Sequence, residues 1–117
     1  MKKVLVVDDE DNIRLLYKEE LEEEGYQVTL AADAEEARKK IQEEKPDLIT
    51  LDIKMPRMGG IEFLEMLHQQ YKSIPVILCS AYGSFKQDFR VWVSDAYVVK
   101  SADTRELKMT IKEILAS

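Results

Sequence analysis

The sequence predicts an α/β fold, in which helices cover both faces of a five-stranded parallel sheet in a doubly wound arrangement. Short apolar runs alternate along the chain with segments whose apolar residues recur at helical spacing, and short connections join them. No repeat or low-complexity stretch interrupts this alternation. The chain has 117 residues, of which 45% are hydrophobic, so it is long enough for one core. We therefore assign residues 1–117 to a single domain.

The first two strands and the helix between them are well marked. Val4–Val7 is a continuous apolar run and forms the first predicted strand. Asp11 can cap the following helix, whose apolar residues recur at helical spacing until Gly25 ends it. Gln27–Leu30 alternates between polar and apolar residues, so we predict an edge strand there.

A second helix leads into the third strand. Asp33 and Glu36 form a capping-box pattern at the start of this helix, which stops before Pro46. The next apolar run extends from Leu48 to Asp52 and is too short for a helix of useful length. Turn residues bound it on both sides. The sequence therefore predicts a buried strand that ends in a carboxylate.

The second half of the chain continues the alternation of predicted strands and helices. Ile61–Tyr71 has apolar residues at helical spacing and predicts the third helix, and Val76–Cys79 predicts the fourth strand. The aromatic residues of Phe85–Trp92 lie at positions i, i+4 and i+7 of a short fourth helix. Ala96–Val99 is the fifth strand, and another capping-box pattern at residues 103–106 begins the last helix. Five strands and five helices result.

Polar residues stand at the carboxyl ends of the four most apolar strands. These residues are Asp8, Asp9, Asp52, Ser80 and Lys100. Right-handed crossovers place all of these strand ends along one edge of the sheet. In a sheet with the strand order 2-1-3-4-5, the ligand crevice lies between the first and third strands. Those two strands end in Asp8-Asp9 and in Asp52.

The three aspartates predict a site for a divalent cation. Carboxylates brought together repel and raise one another's pKa unless a cation lies among them. Mg²⁺ prefers oxygen ligands and is usually held by one or two carboxylates together with a phosphate. If Asp8, Asp9 and one oxygen of Asp52 hold the metal, the other Asp52 oxygen can attack phosphorus. Lys100 and the metal would then stabilise the negative charge of the phosphoryl group during its transfer.

Composition excludes several other classes of protein. The net charge of −6, from 23 acidic and 17 basic residues, argues against direct binding of nucleic acid. The apolar run after Met1 is too short for a signal peptide or a membrane span, so we expect a soluble, cytoplasmic protein. Cys79 is the only cysteine, which excludes an internal disulfide and favours a small buried core residue.

Four motifs in this order resemble a response-regulator receiver domain. They are Asp8-Asp9-Glu10, the run from Leu51 to Pro56 with Gly60 beyond it, Ser80-Ala81, and the segment from Tyr97 to Lys100. The resemblance covers essentially the whole chain and implies the flavodoxin-like (βα)5 fold of that family. The sequence leaves open whether the chain is a stand-alone receiver, a relay intermediate or the N-terminal domain of a longer protein.

The resemblance implies a phosphoacceptor that depends on magnesium. A sensor histidine kinase or a histidine phosphotransfer protein would donate the phosphoryl group from a phosphohistidine to Asp52. The backbone carbonyl of Lys54 would complete the protein ligands of Mg²⁺. The hydroxyl group of Ser80 would hydrogen-bond the phosphoryl group, and Tyr97 would then turn inward. This would change the face formed by the Phe85–Trp92 helix, the last strand and the C-terminal helix, where a downstream protein would bind.

An enzymatic alternative fits less well. A haloacid-dehalogenase-like phosphatase also uses an aspartate after a strand, but it requires a second aspartate two residues later, where this chain has Lys54. The resemblance therefore implies that the domain is not an enzyme and catalyses only its own phosphorylation and dephosphorylation.

Three features of the sequence depart from the family pattern. Ser101 replaces the usual proline, and we expect a trans peptide bond there because a cis bond before serine costs about 3 kcal/mol. The segment from Ser80 to Lys100 is slightly short, so its helix should be short or irregular. These two departures leave open a degenerate receiver that acts as a phosphorylation-independent interaction module. Lys54 and Tyr82 each lie two residues beyond a site residue, and their bulk predicts a long-lived phosphorylated form.

Overall fold

The computed structural model describes residues 1–54, 58–81, 94–101 and 103–116. Within these ranges strands and helices alternate as β1 (Lys3–Val7), α1 (Asp11–Glu23), β2 (Gln27–Ala31), α2 (Ala34–Glu44), β3 (Leu48–Asp52), α3 (Gly60–Gln70), β4 (Val76–Ser80), β5 (Ala96–Val99) and α4 (Arg105–Ala116). The predicted Phe85–Trp92 helix lies outside the described residues. None of the helices in the described ranges has the length and apolar content needed to cross a membrane.

The five strands form one parallel sheet in the order β2-β1-β3-β4-β5, which confirms the predicted fold class. All five residues of β3 and of β4 are buried, whereas the edge strands β2 and β5 are partly exposed. This contrast explains the sequence pattern, because strands covered on both faces can be apolar throughout. The strand order reverses between β1 and β3.

Two apolar layers hold the helices against the sheet. Successive side chains of β1 point to opposite faces. Val4 and Val6 pack on the side of α1 and α4. Leu5 and Val7 pack on the side of α2 and α3, where Phe63 is fully buried. Burial of these side chains stabilises the sheet, and with it the edge formed by the carboxyl ends of the strands.

The helix starts agree with the sequence in one case and differ in another. Asp33 is the N-cap of α2, and its Oδ1 accepts a hydrogen bond of 2.8 Å from the Glu36 backbone N–H, as predicted. The prediction that Asp11 caps α1 was wrong, because Glu10 occupies the N-cap and Asp11 is the first helical residue. The side chain of Asp8 accepts the Glu10 N–H, which turns the chain into the helix one residue earlier.

Helix α3 begins in direct contact with the end of β3. The Gly60 N–H donates a hydrogen bond of 2.7 Å to the carbonyl oxygen of Ile53. A Cβ atom at Gly60 would overlap the carbonyl oxygen of Asp52 and lie 2.6 Å from the Cα of Ile53. Only glycine permits this approach of backbone to backbone. The start of α3 thereby supports the strand end that bears Asp52.

We expect the Gly60→Ala substitution to lower the free energy of unfolding by about 2 kcal/mol, because the added methyl group must displace the backbone of β3. Gly59→Ala is the matched control, since a Cβ there would have its nearest contact at 3.8 Å. At this N-cap position, the control should cost less than about 1 kcal/mol. Urea unfolding without divalent cations measures both changes, and equal losses would contradict the steric explanation.

Candidate functional site

The carboxyl ends of four strands bring the predicted site residues to one edge of the sheet. Asp8 follows β1, Asp52 ends β3, Ser80 ends β4 and Lys100 follows β5. A cavity of about 240 Å³ opens at this edge. Its lining consists of Asp9, Glu10, Asp52, Lys54, Ser80, Ala81 and Lys100. The structure thus gathers residues that are far apart in the sequence into one polar cavity.

The ammonium group of Lys100 lies between two buried carboxylates at this edge of the sheet. Its Nζ is 2.7 Å from Asp8 Oδ2 and 3.2 Å from Asp52 Oδ1. The side chains of Lys100, Asp8 and Asp52 are only 7%, 2% and 5% exposed. A third carboxylate, that of the exposed Glu10, has its Oε1 3.5 Å from the same ammonium group. Two buried carboxylates therefore share one cation.

Backbone hydrogen bonds place these side chains. The N–H of Asp8 donates to the Ala31 carbonyl oxygen at 3.0 Å, and the N–H of Lys100 donates to the Ser80 carbonyl oxygen at 2.7 Å. These bonds continue the sheet ladders one residue beyond β1 and β5. The positions of Asp8 and Lys100 are consequently set by the sheet itself.

The turn after Lys100 contains Ser101 in a trans arrangement, as expected, because no peptide bond among the described residues is cis. Ser101 Oγ accepts a hydrogen bond of 3.1 Å from the Asp103 N–H. Asp103 Oδ1 in turn accepts one of 3.0 Å from the N–H of Arg105, the first residue of α4. Side-chain hydrogen bonds thus shape this turn.

Burial and crowding shift the pKa values of the three charged groups. Burial, followed by the charge of Asp8, raises the pKa of Asp52 to about 7. Burial also raises the pKa of Asp8, although Lys100 opposes the shift. For Lys100, burial alone would lower the pKa, but the neighbouring Asp8 and Asp52 outweigh it and raise the pKa. The ammonium group of Lys100 thus leaves the buried carboxylates incompletely neutralised.

The residues present fit a hard divalent cation. Carboxylate oxygens of Asp8, Asp9 and Glu10 lie within 4.8 Å of one another. Asp52 and Asp8 both pair with Lys100, so the Asp52 carboxylate lies next to this cluster of acidic side chains. Such oxygen donors suit Mg²⁺ better than a softer metal. Asp8 is buried, whereas Asp9 and Glu10 are exposed and accessible from solvent.

Sequence reasoning assigned no role to Glu10. The signal for it was modest, since it is the third of three successive acidic residues and could have been a helix-start residue alone. The backbone N–H of Lys54 donates a hydrogen bond of 3.3 Å to Asp52 Oδ1. That its carbonyl group binds the metal stays a prediction.

The predicted switch residues occupy neighbouring strands. Ser80 is buried at the end of β4 and lines the cavity. Tyr97 on β5 is half-buried and packs against the core cluster on the side of α2 and α3. That Tyr97 turns inward stays a prediction. The residues Tyr82 and Phe85–Trp92 lie outside the described part of the chain. Cys79 is a core residue whose thiol pKa is raised to about 12 by burial.

The raised pKa of Asp52 predicts a pH-dependent effect of Asp52→Asn. The folded protein holds a proton on Asp52 up to about pH 7, whereas the unfolded chain loses it near pH 4. Wild-type stability therefore falls as the pH rises from 4 to 7. Asparagine avoids this loss, so we expect the variant to be about 1–2 kcal/mol more stable at pH 8 and no more stable at pH 4.

Urea unfolding at several pH values, without divalent cations, measures this difference. Glu43→Gln, which removes an exposed carboxylate from α2, is the control and should show no such trend. A gain from Asp52→Asn that stayed constant between pH 4 and pH 8 would contradict the assignment.

The chain matches the family of the response regulator receiver domain over residues 4–112. It is 41% identical over 116 residues to the alkaline phosphatase synthesis transcriptional regulatory protein PhoP of Bacillus subtilis, covering 97% of this chain and 48% of that protein. It is 35% identical over 116 residues to sporulation initiation phosphotransferase F of the same organism, covering 97% and 94%. The chain therefore spans about half of the former relative and nearly all of the latter.

Solved structures agree with this similarity. Response regulator protein TrrA from Thermotoga maritima, in complex with Mg²⁺-BeF, superposes with a TM-score of 0.93 at 46% identity, covering 97% of this chain and 99% of that one. TrrA in complex with histidine kinase ThkA superposes with a TM-score of 0.92, also at 46% identity, covering 98% and 99%. The chain, with its strand-end aspartates, serine and lysine, belongs to the response regulator receiver domains of two-component signalling.

Proposed function

We propose that this receiver domain accepts a phosphoryl group on Asp52 in a reaction that requires Mg²⁺. The observation that supports this most directly is the pairing of Lys100 with both Asp8 and Asp52, where Lys100 and Asp52 line a solvent-accessible cavity. The arrangement offers a nucleophilic carboxylate, oxygen ligands for a metal and a cation for phosphoryl oxygens. The binding of Mg²⁺-BeF by TrrA supports the same reading.

Asp8, Asp9 and Asp52 would hold the Mg²⁺ ion with the backbone carbonyl of Lys54. Bound there, Mg²⁺ supplies positive charge to the oxygens of the transferring phosphoryl group. Glu10 adds a further exposed carboxylate beside these ligands. This set has only oxygen donors, as Mg²⁺ prefers.

In the proposed step, a carboxylate oxygen of Asp52 attacks the phosphorus of a phosphohistidine. A P–O bond forms while the P–N bond breaks, and the electron pair of that bond returns to the imidazole nitrogen. The donor imidazole, protonated on its other nitrogen, leaves as neutral imidazole. Lys100 is suited to pair with the phosphoryl oxygens, because its Nζ already lies 3.2 Å from Asp52 Oδ1.

The donor would be a sensor histidine kinase or a histidine phosphotransfer protein. The complex between TrrA and histidine kinase ThkA supports a kinase as partner. The phosphoryl group carries roughly two negative charges and its acceptor oxygens to the cavity, beside Ser80 and Lys100, where the Asp52 carboxylate carried one charge. Through Ser80 and Tyr97, this charge would alter the face that includes β5 and α4. A downstream protein would bind the altered face. The net charge of −6 on this chain disfavours direct binding of nucleic acid.

Intact-mass measurement tests this proposal. With acetyl phosphate as a small phosphodonor and Mg²⁺, the wild type should gain the mass of one phosphoryl group. Asp52→Asn, and wild type treated with a chelator, should gain none. Asp33→Asn is a matched control that should be phosphorylated normally, because asparagine caps a helix as well as aspartate does.

An unphosphorylated wild type, with its fold and Mg²⁺ binding verified, would instead support the alternative function. The chain would then be an interaction module that keeps the receiver shape without the chemistry.

A long-lived phosphorylated form is a further part of the proposal. Lys54 is exposed and lines the cavity beside Asp52, where a hydrolytic water would approach the phosphoryl group. We expect Lys54→Ala to lose its phosphoryl group several-fold faster than the wild type after the donor is removed, because the smaller side chain admits water. Intact mass followed over time measures both rates. Rapid loss from the wild type, unchanged in the variant, would contradict this role.

A further inference from the structure

The side chain of Arg14 joins the first turn of α1 to the backbone of Asp8. Its Nη1 donates a hydrogen bond of 2.7 Å to the carbonyl oxygen of Asp8, and its Nη2 pairs with Asp11 Oδ1. The arginine side chain is only 16% exposed, whereas that of Asp11 is 84% exposed. One guanidinium group therefore connects Asp8, the residue that follows β1, with Asp11, the first residue of α1.

Asp8 has a defined protein partner for each of its other polar groups. Its N–H donates to the Ala31 carbonyl oxygen, and its Oδ1 accepts the N–H of Glu10 at 2.9 Å. Its Oδ2 pairs with Lys100. The register of β1 with β2 ends at the pair Val7 and Ala31, so Asp8 lies just beyond it and its carbonyl oxygen accepts from Arg14.

The start of α1 has no side-chain cap. The N-cap residue Glu10 makes no side-chain capping hydrogen bond, so that kind of bond does not fix the start of α1. The segment between Asp8 and Asp11 is held by the turn at Asp8 and by the two contacts of Arg14. Asp9 lies inside this segment, and its carboxylate has to face the cavity.

We propose that Arg14 is a positioning residue for the Mg²⁺ site. It holds the backbone of Asp8, and with it the direction of the adjacent Asp9 carboxylate, so that both acids are preorganised for the metal. This inference rests on the proposed function, since it concerns the same cation. Arginine suits the role because its planar group reaches two oxygens at once, which the single ammonium group of lysine does less well.

The sign of the effect separates positioning from simple electrostatics. A guanidinium group beside the acidic cluster repels a divalent cation, so removal of its charge alone would tighten Mg²⁺ binding. Loss of positioning would weaken it, because outer groups that orient metal ligands typically account for 10-fold or more in metal affinity. The two explanations therefore predict changes in opposite directions.

The test is titration calorimetry with Mg²⁺ alone, on folded wild type and variants. We expect Arg14→Met to weaken Mg²⁺ binding about tenfold, and Arg14→Lys to weaken it less. Lys18→Met removes a positive charge one turn further along α1 and is the control, for which we expect unchanged or slightly tighter binding.

Urea unfolding without Mg²⁺ on the same variants excludes a purely structural role, which would lower stability without changing the affinity of the folded protein. If Arg14→Met does not fold, Arg14→Lys decides the question, because it keeps the positive charge and loses the contact with two oxygens at once. Wild-type affinity in Arg14→Met, or in Arg14→Lys where Arg14→Met does not fold, would overturn the inference while leaving phosphorylation of Asp52 intact. A wild type that neither binds Mg²⁺ nor accepts a phosphoryl group would overturn the proposed function and this inference together.

Discussion

The ion pairs of Lys100 with Asp8 and Asp52 are the interaction on which the site depends. Each of the three charged groups is almost fully buried, and an unpaired charge in such a place is strongly destabilising. The pairing requires the ends of β1, β3 and β5 to meet at one edge. The parallel strand order of the sheet achieves this, so the fold and the charge arrangement depend on each other.

The same arrangement is costly for stability and useful for chemistry. Burial and the proximity of Asp8 keep the pKa of Asp52 near 7, which means that its ionised form is held in an unfavourable environment. A divalent cation relieves that cost, and so couples ion binding to the ionisation of the residue proposed to accept the phosphoryl group. Sites with this kind of internal conflict are where local stability is commonly given up for function.

Rigid supports surround the charged groups. The sheet ladders extend to Asp8 and Lys100, and the close approach of Gly60 backs the end of β3. The more exposed acids, Asp9 and Glu10, stand on the segment that leads into α1, where Arg14 contacts the backbone. The site thus combines buried charged groups held by the sheet with exposed acids on the segment before α1. The core maintains its geometry, and its exposed side is accessible to a partner protein.

The sequence by itself determined the alternation of elements, the buried strands and the convergence of Asp8, Asp52, Ser80 and Lys100. These follow from periodicity and from the rule that parallel strands end at one edge, and neither needs interatomic distances. Only the tertiary structure decided that Glu10 and not Asp11 occupies the N-cap position of α1, and that Glu10 approaches Lys100. It also decided that a side chain at Gly60 would overlap β3, and that Arg14 bonds the Asp8 carbonyl oxygen. Such contacts depend on shifts of an ångström or on a single residue of register between distant segments. Hydrophobic patterning, which repeats every two or every 3.6 residues, cannot specify them.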